Sequence, residues 1–440
     1  MSNIAIIAPS PIEGSGGVAR IYTYAKALDS NGHQCDVYVF DCGRRNANDL
    51  SKDANNYYAI DGIHIIPGLN LKNNYELLIA TRWDTAKIVR DMPAQKKAYL
   101  VQDFEACFNP LGDGTILAEN SYLYGLQTIT YGRWLALKLY NEFGNTPYFC
   151  NFATDLDTFR VKHPMRDRLK KSPAVCFIYQ NDKPRRCPHL GIETLGIVKH
   201  MRPDVEIYFV GSNKTPDLWY DYTNVGLLSK EKLNDLYNRC HIGFCLSSSN
   251  PSCNLFDMMA AGLPSVDLYR ENNLFDIPSG GVLLAHQTPE SLAEAILYLI
   301  SNTETHLKMS DFGMNFMKSR STTIEINEFL AAINSILSGK PNSFNITELV
   351  RQRYTDPAVI AGVYKNHSVG QHVCSQLNKN IFLVNESVIN DKNESTLKLN
   401  RSVSDLGKAY FSTPPINKTF MSMLKRFIKR LLGKKRMWIP

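Results

Sequence analysis

Three short segments of the 440-residue chain carry the residue types that could do chemistry. Gly16 and Gly17 stand directly before a helical pattern, and backbone N–H groups at a helix start can hold a phosphate or let a ligand approach closely. A second segment contains Lys183, Arg185 and Arg186 within four residues, after an apolar run. These cations could neutralise a diphosphate leaving group. Both segments are therefore candidates for a phosphate site.

The third segment, 247–257, has the most specific pattern. A strand ends there in small polar residues, an Asn-Pro turn presents backbone N–H groups, and a helix begins at once. The helix N-terminus can receive a phosphate, and Asp257 in its first turn can accept hydrogen bonds from sugar hydroxyls. We predict that the residues of this segment that bind the phosphate and the sugar are Ser249, Asn250, Pro251, Ser252 and Asp257.

Each segment also has a simpler explanation. Gly14-x-Gly16-x-x-Ala19 matches the relaxed dinucleotide fingerprint, and Asp41 stands where the second strand of such a fold carries its acid. The same glycines fit a helix start without a ligand, and the basic segment fits a solvated loop. Asp257 fits a carboxylate that only stabilises a helix start. Because of the dinucleotide fingerprint and Asp41, a nicotinamide-dependent oxidoreductase is an alternative function.

The elements that must position these residues alternate between buried strands and amphipathic helices. Residues 3–8 are a predicted strand, the stretch up to Asn31-Gly32 a helix and 37–40 the next strand, which makes a parallel βαβ unit. The further predicted strands are 63–66, 77–81, 98–101, 174–179, 205–210, 242–246 and 265–268. The further predicted helices are 84–91, 117–142, 189–200, 230–239, 254–261, 289–301 and 323–337.

This alternation predicts an α/β fold with two doubly wound, Rossmann-like domains, 1–165 and 166–338, that face a cleft. Ligands of such domains bind at the carboxyl ends of the strands, so we expect the three segments to line that cleft. Residues 339–417 are rich in Asn and Ser and are predicted to be a loosely ordered extension.

Residues 418–440 are a predicted basic amphipathic helix. They contain eight Lys and Arg residues and no Asp or Glu, so the surplus of +7 on the whole chain lies in this segment. A basic face with an interfacial Trp is typical of a membrane-surface anchor, and the alternative is a helix docked on the protein. The residues expected at an anionic membrane are Lys425, Arg426, Lys429, Arg430 and Trp438.

Composition excludes several other classes of protein. Hydrophobic residues make up 44% of the chain, which is ordinary for a globular protein and too rich for a disordered one. No apolar run reaches the roughly 18 residues of a membrane-spanning helix. The ten cysteines stand singly, which argues against a zinc site or a disulfide framework and for a reducing compartment. The surplus Lys and Arg residues are confined to the predicted helix 418–440 and do not form part of a recognised nucleic-acid-binding module, so no nucleic-acid partner is predicted.

The order of these motifs resembles that of family 4 glycosyltransferases, which have the GT-B fold. The resemblance rests on Gly16-Gly17, the turn Asn31-Gly32-His33, the basic segment and the run from Pro251 to Pro264. The rhamnosyltransferase branch, which builds bacterial surface polysaccharides, is similar to this chain in the stretches 81–86, 99–105 and 249–252.

The resemblance implies a reaction. Members transfer a sugar from a nucleotide diphosphate donor, with retention at the anomeric carbon and without a metal ion or another cofactor. For this chain the resemblance implies a dTDP-linked rhamnose or a related deoxysugar as donor, and a lipid-linked or polysaccharide acceptor. The enzyme would work in the cytoplasm at the inner face of the cell membrane, with polysaccharide-assembly proteins as further partners.

The resemblance also implies roles for individual residues. The implied catalytic residues are Arg186, Arg185, Lys183 and Asp103. The implied acceptor-binding residues are Arg82 and Glu105, and Gly16 and Gly17 would approach the donor phosphates.

The chain departs from the family pattern at three points. Ser249 stands where the family has the first Glu of its Glu-x7-Glu motif, and Asp257 stands where it has the second. Tyr179-Gln180 stands where the family usually has an Arg after the first strand of the second domain, which leaves the segment 183–186 to supply the charge. No His aligns with the histidine that many members place at the reacting centre. A catalytically degenerate homologue that acts as an assembly subunit is therefore a further alternative.

Overall fold

The computed structural model of the protein describes residues 1–71, 74–340, 342 and 344–365. Met1–Ile360 forms one compact unit. The predicted basic helix 418–440 lies outside the described residues, as does most of the predicted extension. The membrane residues that fall outside with it are Lys425, Arg426, Lys429, Arg430 and Trp438.

The first sheet has seven parallel strands in the order β3-β2-β1-β4-β5-β6-β7. Its strands are β1 (Asn3–Ala8), β2 (Gln34–Val39), β3 (His64–Pro67), β4 (Leu77–Ala80), β5 (Lys96–Val101), β6 (Gln127–Tyr131) and β7 (Tyr148–Cys150). In the centre of the sheet, Ile6 of β1 is in register with Val37 of β2 and Ile79 of β4. Helices cover such a parallel sheet on both faces, so its strands are nearly continuous apolar runs.

The second sheet has six parallel strands in the order β10-β9-β8-β11-β12-β13. Its strands are β8 (Ala174–Ile178), β9 (Glu206–Val210), β10 (Thr223–Asn224), β11 (Ile242–Phe244), β12 (Ser265–Leu268) and β13 (Val282–Ala285). Cys176 of β8 is in register with Tyr208 of β9 on one side and Gly243 of β11 on the other.

Helices connect the strands. The α-helices of the described residues are α1 (Gly16–Ser30), α2 (Ala47–Tyr58), α3 (Trp83–Asp91), α4 (Asp113–Ser121), α5 (Arg133–Phe143), α6 (Met165–Arg168), α7 (Pro188–Met201), α8 (Lys230–Arg239), α9 (Cys253–Ala260), α10 (Glu271–Leu274), α11 (Pro289–Ser301), α12 (Thr303–Met317), α13 (Thr322–Ser338), α14 (Ile346–Leu349) and α15 (Gly362–Lys365). Two 3-10 turns, Glu105–Phe108 and Pro184–Arg186, follow β5 and β8.

The strand order confirms the predicted fold class, two doubly wound parallel α/β sheets. Each sheet reverses its order once, between β1 and β4 in the first and between β8 and β11 in the second. Open α/β sheets bind ligands outside the carboxyl ends of the strands at such a switch point. The sheets lie within 3–150 and 174–285, and the predicted domain bounds around them stay predictions.

The predicted helix over 117–142 is wrong. The structure has strand β6 in this region, between α4 and α5. The β-branched residues Thr128, Ile129 and Thr130 favour a strand, and they are buried in the sheet. Gly125 and Gly132, with φ of 72° and 92°, interrupt the helical path on either side of β6.

The C-terminal part of the unit crosses between the sheets. Helix α13 packs against α1 and β7, and its Phe329 ring stacks on Tyr24 with centroids 4.0 Å apart. Helix α14 then packs against α5 of the first domain. The chain reaches the second sheet further on, where the Leu284 N–H donates to the Tyr354 hydroxyl at 3.0 Å and Val359 forms a bridge with β13. Because Tyr354 and Val359 are buried, this first part of the predicted loose extension is packed.

Candidate functional site

The basic segment forms a tight turn at the carboxyl end of β8. Residues Pro184–Arg186 make a 3-10 turn, and Cys187, with a left-handed φ of 48°, leads from it into α7. The Arg186 guanidinium donates to Ser247 Oγ at 2.6 Å, and the Ser248 N–H donates to the Arg185 carbonyl at 2.9 Å. The turn is thereby joined to the loop that follows β11, as expected for two segments at one switch point.

The cations of this turn crowd one another in a half-buried place. Burial lowers the pKa of Lys183 below its usual value, and the neighbouring Arg185 and Arg186 lower it further. Burial also lowers the pKa of Arg185, an effect opposed by the Asp103 carboxylate. Each lowered pKa means that the local surroundings disfavour the positively charged form of the side chain. A bound anion would offset this effect, and the cations would in turn attract the anion.

The loop after β11 contacts the first sheet directly. The Asn250 N–H donates to Asp103 Oδ1 at 2.8 Å, and the Ser249 hydroxyl donates to Asp103 Oδ2 at 3.1 Å. The Asn250 side-chain amide donates to the carbonyls of Gln102, at 2.9 Å, and Tyr131, at 2.7 Å. Ser249 and Asn250 are predicted to bind the phosphate and the sugar. In the structure the Ser249 hydroxyl, the Asn250 N–H and the Asn250 side-chain amide instead donate hydrogen bonds to the first domain.

The glycine loop meets the same network. Gly16 and Gly17 open α1, and the Gln102 side chain donates to the Gly17 carbonyl at 3.0 Å. A Cβ on Gly17 would lie 2.7 Å from Gln102 Oε1, so the end of the Gln102 side chain would have to move, whereas a Cβ on Gly16 would meet no atom within 4 Å. Gly16 therefore leaves open space at the start of α1, next to the cleft.

Asp257 does not lie where the sequence predicts. Helix α9 begins at Cys253 and has no acid in its first turn, so Asp257 stands one turn further on. The Thr154 hydroxyl, from the segment between the sheets, donates to its carboxylate. Burial raises the pKa of Asp257 to about 7, and the Thr154 hydrogen bond opposes that rise. Pro251 and Ser252, which precede the helix, are buried.

The structure adds Arg20 to the site, a residue that the motifs did not single out. Arg20 lies on α1 one turn after the glycines, its Nε 3.1 Å from Oε1 of the buried Glu325 of α13. Its guanidinium lies 5.9 Å from the centroid of the Tyr131 ring. Its positive charge opposes the rise in pKa that burial causes at Cys253, at the start of α9, and at Asp257. A cation one turn after a glycine loop is a signal that the sequence contained, whereas its partner Glu325 is 305 positions away.

The two predicted acceptor-binding residues are engaged within the first domain. Arg82 donates to Asp84 Oδ1 at 2.8 Å from Nε, and its guanidinium lies 4.6 Å from the Phe40 ring centroid. Glu105 is 3% exposed, and it accepts hydrogen bonds from the Trp83 N–H, at 2.6 Å, and the Tyr99 hydroxyl, at 3.0 Å. Glu105 therefore caps the start of α3 and does not line an open surface.

Two negative findings hold for the residues that the structure describes. In 1–71, 74–340, 342 and 344–365, no group of three or more His, Cys, Asp or Glu side chains is arranged to hold a metal ion. Over the same residues, no helix has both the length and the apolar character needed to cross a membrane.

Sequence comparisons give two matches. Residues 173–297 match the family described as WsaF, C-terminal domain. Over 266 residues, 59% of the chain, the protein is 26% identical to the O-antigen biosynthesis protein RfbC of Myxococcus xanthus. The chain spans about a fifth of the length of that curated relative, 20%.

Solved structures share the two-domain architecture. A sucrose-phosphate synthase from Thermosynechococcus elongatus has a TM-score of 0.60 at 14% identity, covering 77% of this chain and 100% of its own. HepE from Anabaena, in complex with UDP and glucose, has a TM-score of 0.59 at 13% identity, covering 76% of this chain and 100% of its own. A TarM variant from S. aureus, in complex with Fondaparinux, alpha-GlcNAc-glycerol and UDP, has a TM-score of 0.59 at 10% identity, covering 76% of this chain and 100% of its own.

These likenesses define the class of the protein by its fold. The paired doubly wound sheets with a shared cleft are the GT-B fold of glycosyltransferases. The family match and the structural neighbours support the expectation of a transferase enzyme.

Proposed function

We propose that the protein is a glycosyltransferase that moves a sugar from a nucleotide diphosphate donor to a cell-surface glycan. The observation that carries the proposal is the meeting of the basic turn, the serine loop after β11 and the glycine loop of α1 at the carboxyl ends of both sheets. The relative RfbC is named for O-antigen biosynthesis, and the HepE and TarM structures hold UDP, which supports this choice of substrate and pathway.

The charges at this cleft suit departure of a nucleotide diphosphate. Negative charge develops on the phosphate oxygens as the sugar leaves, and fixed cations in a site with little water stabilise that charge. Arg186 is the cation that we place on the diphosphate, because its hydrogen bond to Ser247 fixes it within the second domain. Lys183, Arg185 and the open space at Gly16 form the rest of the phosphate side.

The sugar side of the proposed site is formed by α9 and α1. Asp257, with a pKa near 7 raised by burial, can hold a proton at neutral pH and so can both donate and accept hydrogen bonds with sugar hydroxyls. Arg20 lies close enough for its charge to act on Asp257. We assign these two residues to orientation of the donor sugar.

Further details of the proposal come from the family 4 resemblance. They are a dTDP-linked rhamnose or related deoxysugar as donor, retention at the anomeric carbon, no metal ion, and a lipid-linked or polysaccharide acceptor. The basic helix 418–440 would hold the enzyme at the inner face of the cell membrane, beside polysaccharide-assembly proteins.

The test is transfer from a panel of dTDP- and UDP-linked sugars, with calorimetry for binding and product NMR for the anomeric configuration. Arg186→Ala should lower kcat by about 100-fold or more, by analogy with the loss of one preorganised donor. Arg166→Ala is the matched control, because Arg166 is an exposed cation of the same domain. Binding of no sugar nucleotide by the wild type, or equal turnover in the two variants, would contradict the proposal.

A further inference from the structure

Asp103 reaches from the first domain into the proposed donor side of the cleft. It follows β5 by two positions, yet its two carboxylate oxygens accept hydrogen bonds from the Asn250 N–H and the Ser249 hydroxyl of the second domain. Its Oδ2 also lies 3.5 Å from Nε of Arg185. The side chain of Asp103 is 10% exposed, so these contacts are shielded from solvent.

Arg185 is held by the first domain on a second side. The Phe108 ring centroid lies 4.0 Å from the Arg185 guanidinium carbon, in the geometry of a cation–π contact. The next residue, Arg186, instead donates to Ser247 within its own domain. Two neighbouring cations of one turn thus contact different domains: the Arg185 side chain contacts Asp103 and Phe108 of the first, and the Arg186 side chain contacts Ser247 of the second.

We infer that Asp103 is a positioning residue that holds Arg185 and the Ser249–Asn250 loop in place across the interface between the two domains. The inference rests on the proposed function, since its value lies in completing the diphosphate side of the cleft.

A general role in holding the domains together is the competing explanation, and Asp276 provides its control. Asp276 of the second domain accepts hydrogen bonds from the N–H groups of Arg133, at 2.8 Å, and Trp134, at 3.0 Å, at the start of α5 in the first domain. Both carboxylates therefore accept two hydrogen bonds across the interface. They differ in that Asp103 contacts Arg185 and the loop after β11.

The first experiment measures the contact without substrate. Hydrogen–deuterium exchange is followed for a peptide containing Asn250, in wild type, Asp103→Asn and Ser249→Ala. We expect exchange there to become about tenfold faster or more in both variants, because the hydrogen bond to Asp103 is lost or weakened. Unchanged exchange would overturn the inference whether or not the protein transfers sugars, and Ser249→Ala keeps the test open if Asp103→Asn fails to fold.

The second experiment distinguishes a positioning role of Asp103 from a general role in holding the two domains together. In Asp103→Asn we expect kcat for transfer to fall by about tenfold or more, with the Kd of the free nucleotide changed less than about threefold. The variant Asp276→Asn should keep kcat within about threefold of wild type. Equal losses in both variants, or a matching loss of nucleotide affinity in Asp103→Asn, would refute a positioning role.

A double variant completes the test. Because Asp103 acts on Arg185 as well as on the loop, the loss of kcat in Asp103→Asn combined with Arg185→Gln should be smaller than the product of the two single losses. Multiplying losses would show that the residues act independently and would overturn the inference. A wild type that neither binds nor uses a nucleotide sugar would instead remove the proposed function, while the exchange experiment would still decide whether Asp103 holds the loop.

Discussion

Replacement of Glu105 by glutamine tests how a buried carboxyl supports the first domain. The Glu105 side chain is enclosed beside the start of α3 and accepts hydrogen bonds from the Trp83 N–H and the Tyr99 hydroxyl. Burial raises its pKa from the ordinary value of 4.5 to about 8, and the nearby Asp103 and Asp84 carboxylates add to the rise. Glutamine has the shape of the protonated acid and cannot ionise.

The sign of the effect follows from which state holds the proton. Between pH 4.5 and about 8 the folded protein keeps the Glu105 proton, whereas the unfolded chain has lost it. The stabilising contribution is therefore complete below pH 4.5 and is lost as the pH rises to about 8. At about 1.4 kcal/mol per pH unit, a window of about 3.5 units corresponds to a loss of about 5 kcal/mol of unfolding free energy.

The assay is urea unfolding of wild type and Glu105→Gln at one-unit steps from about pH 5 to pH 9. The free energy of unfolding of the variant minus that of wild type should rise with pH by several kcal/mol and level off above about pH 8. Glu193→Gln is the matched control, because Glu193 is an exposed residue of α7, and its difference should stay flat. Parallel curves for wild type and Glu105→Gln would refute the reasoning.

Three further outcomes are expected. Asp257→Asn should weaken use of the donor sugar while the calorimetric Kd of free nucleotide stays within about threefold, and an equal loss of both would contradict its assignment. Gly132→Ala should lower stability by about 1–3 kcal/mol in thermal unfolding, since φ is 92° and a Cβ would lie 2.5 Å from the Phe152 ring. Gly144→Ala, with φ of 69° and open space, should cost less. Truncation to residues 1–412 should abolish co-sedimentation with anionic liposomes, and equal binding would exclude the anchor.

The parts of the fold that the sequence predicts well are those in which local pattern and burial agree. Strand β8 is apolar along its whole length, and β1 is apolar after Asn3, because both faces of a parallel sheet are covered. The prediction fails at 117–142, where Leu and Ala residues of α4 and α5 continue a helical period across β6. The deciding feature there was the pair Gly125 and Gly132, whose positive φ only the structure displays.

The candidate site was predictable in its composition and not in its contacts. The glycine loop, the basic turn and the serine loop lie at strand ends, where the topology of two doubly wound sheets brings them together. The contacts that join these loops to one another connect residues far apart in the chain, and Asn250 is 147 positions from Asp103. Local spacing holds no information about such pairs, which is why Glu105 was expected to face the acceptor and is instead buried.

The contact between Asp103 and Ser249 offers a physical reason why position 249 carries a serine. The resemblance to family 4 glycosyltransferases implies a Glu at this position, whereas the Ser249 hydroxyl donates to Asp103 Oδ2 at 3.1 Å in a buried place. A second carboxylate at this position would face the first at close range, and like charges without solvent disfavour ionisation of both. A hydroxyl that donates a hydrogen bond is therefore the compatible partner, and the carboxylate beside the loop is supplied by the opposite domain.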